Sequence, residues 1–310
     1  MTFPKPPEHT KESLTAWIAA YGTSEGVKKS WLKRKRATIK YDVATKTWVH
    51  VDPKKQIPPH IQALKIPPGW HSVRFNPDPD GDLLVLGKDS KGRRTAIYSA
   101  KFLKQQADLK FKRIMELDAK YDAILKSVQA DVKKGNEAAA TLRLVMMTGI
   151  RPGSEADTKA RKQAYGATTL EGRHVVTVYN KVHLRFTGKK GTKQDLLVRD
   201  PAVASDLLAR AKTAGPTGKL FNVTSGELLE YTHSKDGGGF KTKDFRTLLG
   251  TRTAMNEVAV MGKPKDEKAY KKAVREVAKT VSKVLGNTPT VALQSYISPT
   301  VFAEWQGGGK

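Results

Sequence analysis

The hydrophobic pattern of this chain changes period along its length, and each change marks a different kind of element. Up to about residue 100 the apolar positions come in short alternating or β-branched stretches, broken by Pro, Gly and Asp. Such stretches read as strands and turns. Residues 38–43 and 47–51 predict a hairpin around Ala44-Thr45-Lys46, and Gln56-Ile57-Pro58-Pro59 a corner followed by a turn or two of helix. Ile66-Pro67-Pro68-Gly69-Trp70 is a rigid turn into a strand over 71–75, and Pro77-Asp78-Pro79-Asp80-Gly81 is another turn. Two more strands, 83–87 and 93–99, flank Lys88-Asp89-Ser90-Lys91-Gly92.

From residue 100 the period becomes helical: Leu103, Ala107, Phe111, Ile114 or Met115, Leu117, Tyr121, Ile124 or Leu125, and Val128 recur at helical spacing. A second helix spans about 137–147. Strand texture then returns over 174–179, 182–187 and 194–198, with Val182, Leu184 and Phe186 on one face and His183, Arg185 and Thr187 on the other. Helices follow over about 201–214, 241–261 and 265–285. The last has an apolar stripe of Tyr270, Val274, Val277, Val281 and Val284 or Leu285, opposite Lys268, Lys271, Lys272, Arg275, Lys279 and Lys283. It runs into a punctuated corner: Gly286 as helix stop, Thr288-Pro289 as cap and first position of a short helix, and Pro299 as its end. Asn287 and Tyr296 stand on that corner. A capping Asn and a half-buried Tyr explain them locally.

Composition narrows the partners. The 310 residues suffice for two domains. Cysteine is absent, which excludes disulfides, thiolate metal sites and cysteine nucleophiles and fits a reducing compartment. There is no apolar run of membrane-spanning length and no secretory signal core, so membrane partners are not expected and the expected compartment is the cytoplasm (the nucleoid, if the source is bacterial). Lys and Arg number 56 against 30 Asp and Glu, a formal charge of +26. So large a charge points to a polyanion, either nucleic acid or an anionic membrane, and its spread over Lys28-Lys29, residues 33–36, Arg93-Arg94, Lys189-Lys190 and the late helix fits a folded protein that surrounds its ligand.

The seven histidines lack metal-ligand spacing with carboxylates, and no phosphate-binding glycine loop is present, so neither metal nor cofactor is expected. What stands out is a set of cations in confined places. Arg151 lies between Thr148-Gly149-Ile150 and Pro152-Gly153 at a helix end, where it could also be a C-capping cation. Lys189 lies at a hairpin tip between Gly188 and Gly191, where a solvated lysine is equally at home. Arg246 lies in Lys243-Asp244-Phe245-Arg246-Thr247, where a carboxylate partner would also explain it. With Tyr296 they suggest phosphoryl transfer: arginines clamp phosphate oxygens, a lysine gives up a proton and a tyrosine attacks.

These pieces, in this order, resemble a type IB DNA topoisomerase of the small poxvirus and bacterial kind, over roughly residues 30–300. The most specific segments are Gly286-Asn287-Thr288-Pro289 with Ser295-Tyr296-Ile297, Lys243-Asp244-Phe245-Arg246-Thr247, and Phe186-Thr187-Gly188-Lys189. Gly87-Lys88-Asp89-Ser90-Lys91-Gly92-Arg93-Arg94 and Ile66-Pro67-Pro68-Gly69-Trp70 add to them. The resemblance implies that Tyr296 is the nucleophile that becomes linked to a DNA 3′ end. It implies that Arg151 and Arg246 stabilise the transition state and that Lys189 protonates the departing 5′ oxygen. Asn287 falls where poxvirus enzymes carry histidine and similar bacterial enzymes carry asparagine, so its role is a hydrogen bond to phosphate and not proton transfer. Lys88, Arg93, Arg94, Tyr98, Lys190 and Lys243 are implied DNA contacts. Thr95-Ala96-Ile97-Tyr98 replaces a Gln-Tyr-x-Tyr of the poxvirus kind, so their defined cleavage sequence is not expected here.

The expected fold is α+β and clamp-like. It has a leader over 1–27, a small β-rich DNA-binding domain over 28–100, and a mainly helical catalytic domain with a three-stranded β island over 101–310. The expected activity is relaxation of supercoiled duplex DNA by a monomer, without ATP or metal. A tyrosine recombinase would use the same catalytic set. A basic DNA-packaging protein would explain the charge but not the set.

Overall fold

The computed structural model describes residues 38–158 and 163–306. The expected leader, the basic runs at Lys28-Lys29 and 33–36, and the Gly-rich end lie outside the described residues. Contacts separate the chain into two compact units, one ending at Leu109 and the other beginning at Lys110.

The first unit contains β1 (Ile39–Asp42), β2 (Thr47–His50), a helical turn α1 (Pro59–Gln62), β3 (His71–Phe75), β4 (Leu83–Lys88) and β5 (Arg94–Tyr98). They form one antiparallel sheet in the order β2-β1-β3-β4-β5. Leu83 to Gly87 are all buried, as an inner strand covered on both faces requires. Ile39, Ile57, Ile61, Ile66, Val73, Phe75, Leu84 and Val85 make the core. The Trp48 indole donates to the Ile66 carbonyl at 3.0 Å, which fastens the proline-rich turn to the β1–β2 hairpin.

Helix α2 (Ala100–Lys133) follows, so the division between the units falls within it. The second unit continues with α3 (Glu137–Thr148), α4 (Glu155–Thr158), and β6 (Val175–Val178), β7 (Lys181–Thr187) and β8 (Lys193–Leu197) as an antiparallel meander. Then come α5 (Pro201–Ala214), α6 (Ser225–Ser234), α7 (Thr242–Met261), α8 (Glu267–Leu285), α9 (Pro289–Ser295) and α10 (Ala303–Gln306). Helices and antiparallel sheets lie in separate stretches of the chain, which makes the fold α+β.

Two cores organise this unit. One gathers Phe111, Ile114, Leu117, Ile124 and Val128 of α2, most of α3, the inner face of the β island, and Phe245 and Leu248 of α7. The other gathers Ala254 of α7, Ala273, Val277, Val281 and Leu285 of α8, Ala292, Ile297, Phe302 and Trp305. Each fully buried Val or Leu of the α8 stripe contributes about 1.5–3 kcal/mol. Helix α7 crosses from one core to the other.

Two expectations need correction. Helix α6 was not predicted: only Leu228 and Thr232 are buried on it, too few to set a period. Its signal was Thr224-Ser225-Gly226-Glu227, a capping box in which Thr224 and Glu227 bond each other's backbone N–H. The short helix at the corner also ends before Pro299. Its last residue is Ser295, and Tyr296 leaves helical geometry at φ −129° and ψ −7°. Pro299 instead opens a 3-10 turn over Pro299–Phe302.

Candidate active site

Three segments converge on Arg246. Helix α3 stops at Gly149, in left-handed geometry at φ 64°, and the chain turns through Ile150 and Arg151. That turn is held from the side: the Arg151 and Pro152 carbonyls accept from the N–H groups of Ala167 and Thr168, both at 2.8 Å. Helix α8 stops at Gly286, also left-handed, with the Gly286 N–H on the Ser282 carbonyl. Each stop leaves carbonyls without helical partners and the negative end of a helix dipole. Arg246 answers both. Its guanidinium donates to the Gly149 carbonyl and, at 2.5 Å, to the Leu285 carbonyl. The side chain is 2% exposed and has no carboxylate partner among the described residues, so the salt-bridge explanation offered by its sequence context fails there. The neighbouring Asp244 is taken by Arg113, at 2.9 and 3.2 Å. Burial, and then the charge of Arg151, pull Arg246 down to about 10, which leaves it protonated at neutral pH.

The Tyr296 ring lies beneath this guanidinium, 4.9 Å from its carbon to the ring centroid. Burial alone would raise the phenol. The charges of Arg246 and Arg151, with hydrogen bonding from both, outweigh it and hold the phenol below its ordinary value. Leaving helical geometry directs this side chain, and the backbone is pinned there. Thr251 Oγ1 donates to the Tyr296 carbonyl at 3.1 Å, and Ser298 N–H donates to the same hydroxyl at 3.3 Å. Gly250, one turn after Arg246, makes room for this approach: a β-carbon there would stand 2.9 Å from the Tyr296 carbonyl oxygen.

Asn287 is one residue past the α8 stop. Its side-chain nitrogen and oxygen are both buried without a hydrogen-bond partner. A buried amide in that state costs about 1–3 kcal/mol, so it is poised for a polar ligand. Removing it should therefore separate activity from stability. Asn287→Ala is expected to lower single-turnover DNA cleavage by roughly 10²-fold while the free protein melts no earlier than wild type. Asn287→His should keep substantial activity. An earlier melt for the alanine variant would mark a capping residue instead.

Lys189 stands apart from this group. It begins the 3-10 turn Lys189–Gly191 between β7 and β8 and is exposed. Its ammonium has no carboxylate partner among the described residues. Of the implied DNA contacts, Lys190 is exposed on that turn in left-handed geometry at φ 63°, and Lys243 is exposed at the start of α7. In the β unit, Lys88 is exposed opposite Arg94 in the β4–β5 ladder. Arg93 bonds Asp89 through Nε at 2.7 Å, which braces the basic turn. Tyr98 stacks on Phe102 at 5.1 Å between centroids.

Sequence reasoning missed the supports of the site: Lys110, Arg113, Gln194, Gly250 and Thr251. Lys110 donates from Nζ to the Ser295 carbonyl at 3.0 Å, next to the tyrosine, and burial lowers its pKa. Only helical spacing ahead of Phe111 could have placed it. Among the described residues no cluster of His, Asp and Glu suited to a metal ion is found, and no helix is long and apolar enough to cross a membrane.

The family model of the eukaryotic DNA topoisomerase I catalytic core matches residues 99–303. The chain is 26% identical over 258 residues to DNA topoisomerase 1B of Acanthamoeba polyphaga mimivirus, covering 76% of each chain. It is 24% identical over 233 residues to DNA topoisomerase 1B of Vaccinia virus (strain Copenhagen), and 25% identical to DNA topoisomerase I of Monkeypox virus, covering 71% of each chain in both cases. The matched span contains α2 to α9 with Arg151, Lys189, Arg246, Asn287 and Tyr296, and the chain belongs to the type IB DNA topoisomerase family.

Proposed function

We propose that this protein relaxes supercoiled duplex DNA by a type IB mechanism at Tyr296. The observation that carries the reading is the phenol itself, with its ring under the Arg246 guanidinium and its pKa held below the ordinary value by the charges of Arg246 and Arg151. Tyr296 gives up its phenol proton to solvent as its oxygen attacks a backbone phosphorus, and the Tyr296 O–P bond forms. The bond from phosphorus to the 5′ oxygen breaks, and that oxygen takes a proton from Lys189. Arg151 and Arg246 face the oxygens on which negative charge grows, and the Asn287 amide donates to one of them. The phosphotyrosyl ester conserves the energy of the broken bond. After strand rotation the 5′ hydroxyl attacks the ester and reverses every transfer. Lys189 on an exposed turn suits this role, because it meets the 5′ oxygen only when DNA is bound.

In this reading the unit ending at Leu109 and the unit beginning at Lys110 grip the duplex as a clamp. Lys88, Arg93, Arg94 and Tyr98 serve on the one, and Lys190 and Lys243 on the other. The charge of +26 supports a strong, salt-dependent hold on the DNA backbone.

The test is plasmid relaxation by the purified protein in EDTA without ATP. The expected result is a ladder of partly relaxed circles, together with a protein adduct on DNA 3′ ends after denaturant quenching. A protein that leaves the plasmid supercoiled, or forms the adduct on 5′ ends, would overturn the proposal. Strand exchange between two duplexes without relaxation would favour a recombinase.

A further inference from the structure

Gln194 connects two parts of the site, the Lys189 turn and the Asn287 corner. It lies on β8, just after the turn that carries Lys189, and only 5% of it is exposed. Its Nε2 donates to the Gly286 carbonyl at 2.8 Å, across 92 residues of sequence. Gly286 is the left-handed stop before Asn287, and a β-carbon added there would stand 2.2 Å from Gln194 Oε1. On its other side, a β-carbon added to Gly188 would stand 3.0 Å from Gln194 Cγ. The glutamine is thus wedged between the glycine that precedes Lys189 and the glycine that precedes Asn287. A buried amide is retained at such a place when its hydrogen bond fixes a register that apolar packing would leave loose.

We infer that Gln194 is a positioning residue that sets the Lys189 turn in register with the Asn287 and Tyr296 corner, so that the proton donor meets the oxygen leaving the phosphate. Among the described residues Lys189 has no ion pair of its own to hold it. Gly188 N–H donates to the Thr192 carbonyl at 2.8 Å and Thr192 Oγ1 to the Lys189 carbonyl at 3.0 Å, which closes the turn on itself. Rigid within, the turn takes its position from the base of β7 and β8, where Gln194 ties it to α8. This rests on Lys189 as the general acid, and the experiment tests that premise separately.

The measurement is single-turnover cleavage of two suicide substrates, one with the natural 5′ oxygen and one with a bridging 5′ sulfur. A thiolate leaves without protonation, so the sulfur substrate reports every function except the acid. Gln194→Met keeps the length and removes the donor. Gln194→Glu keeps the shape and sets a carboxylate against the Gly286 carbonyl. On the oxygen substrate both are expected to be slower by roughly 10- to 100-fold, the effect of misplacing a catalytic group by about 1 Å. On the sulfur substrate both should return to within about threefold of wild type, as should Lys189→Ala, whose own oxygen-substrate loss is ~10²–10⁴-fold. Gln194 variants that cleave the oxygen substrate at the wild-type rate would overturn the inference. So would variants that stay slow on sulfur while Lys189→Ala recovers, since Gln194 would then serve the corner or the fold. Failure of Lys189→Ala itself to recover would remove the acid assignment beneath it.

Discussion

Tyr296→Phe is expected to abolish plasmid relaxation and the covalent adduct together, while the protein still folds and binds DNA. The substitution removes one oxygen. The ring that remains still lies under the Arg246 guanidinium, and the backbone bonds to Thr251 and Ala292 are untouched. Removing the nucleophile of a covalent mechanism typically costs on the order of 10⁶-fold. DNA affinity rests on the count of cations, which the variant leaves at its wild-type value, so the salt dependence of binding should be unchanged. A gel-shift titration over several salt concentrations checks that half of the expectation, and adduct formation on a nicked-suicide duplex checks the other. In the wild type, the rise of cleavage rate with pH should reach its plateau below the ordinary phenol value of about 10, because Arg246 and Arg151 outweigh the burial of the ring. Retention of relaxation by the phenylalanine variant would move the nucleophile elsewhere.

Much of this arrangement was legible in the chain because local chemistry controls it. The strands over His71–Phe75 and Lys181–Thr187 follow from alternation, and α8 follows from its stripe. The corner around Asn287 was legible for a similar reason: a left-handed glycine stop and a Thr-Pro start act within a few residues. The partners of Arg246 were not. Its two acceptors lie 97 and 39 residues away and are backbone carbonyls, which every residue possesses and no side-chain pattern announces. Gln194 was hidden in the same way, behind a bond to a carbonyl 92 residues distant. Gly250 runs against helix propensity, and the Tyr296 carbonyl beside it explains why alanine is not there. Position along the chain located the chemical groups, and contacts between distant backbone segments determine how they are held.

Arg246 joins these two kinds of contact, and substituting it should damage fold and chemistry by separable amounts. The guanidinium closes the C-terminal ends of α3 and α8 and sits on the helix that links the two cores. In Arg246→Ala both carbonyls lose their donor inside the protein. Each such loss costs about 1–3 kcal/mol, and a domain of this size loses roughly 2–4 °C of melting temperature per kcal/mol. A fall in Tm of roughly 5–15 °C is therefore expected. Cleavage measured well below that Tm should fall much further than stability explains, by about 10³–10⁵-fold, the usual effect of losing an arginine that faces a transferring phosphoryl group. The tyrosine would also lose the larger of the two charges that lower its phenol, so the plateau of the pH profile should move upward. Arg246→Lys separates charge from shape. An ammonium keeps the charge but cannot present a planar fork to Gly149, Leu285 and a phosphate oxygen at once. It should recover part of the pH shift and little of the rate. A lysine variant cleaving within about threefold of wild type would show that charge alone suffices at this position, and the need for a planar guanidinium there would have to be abandoned.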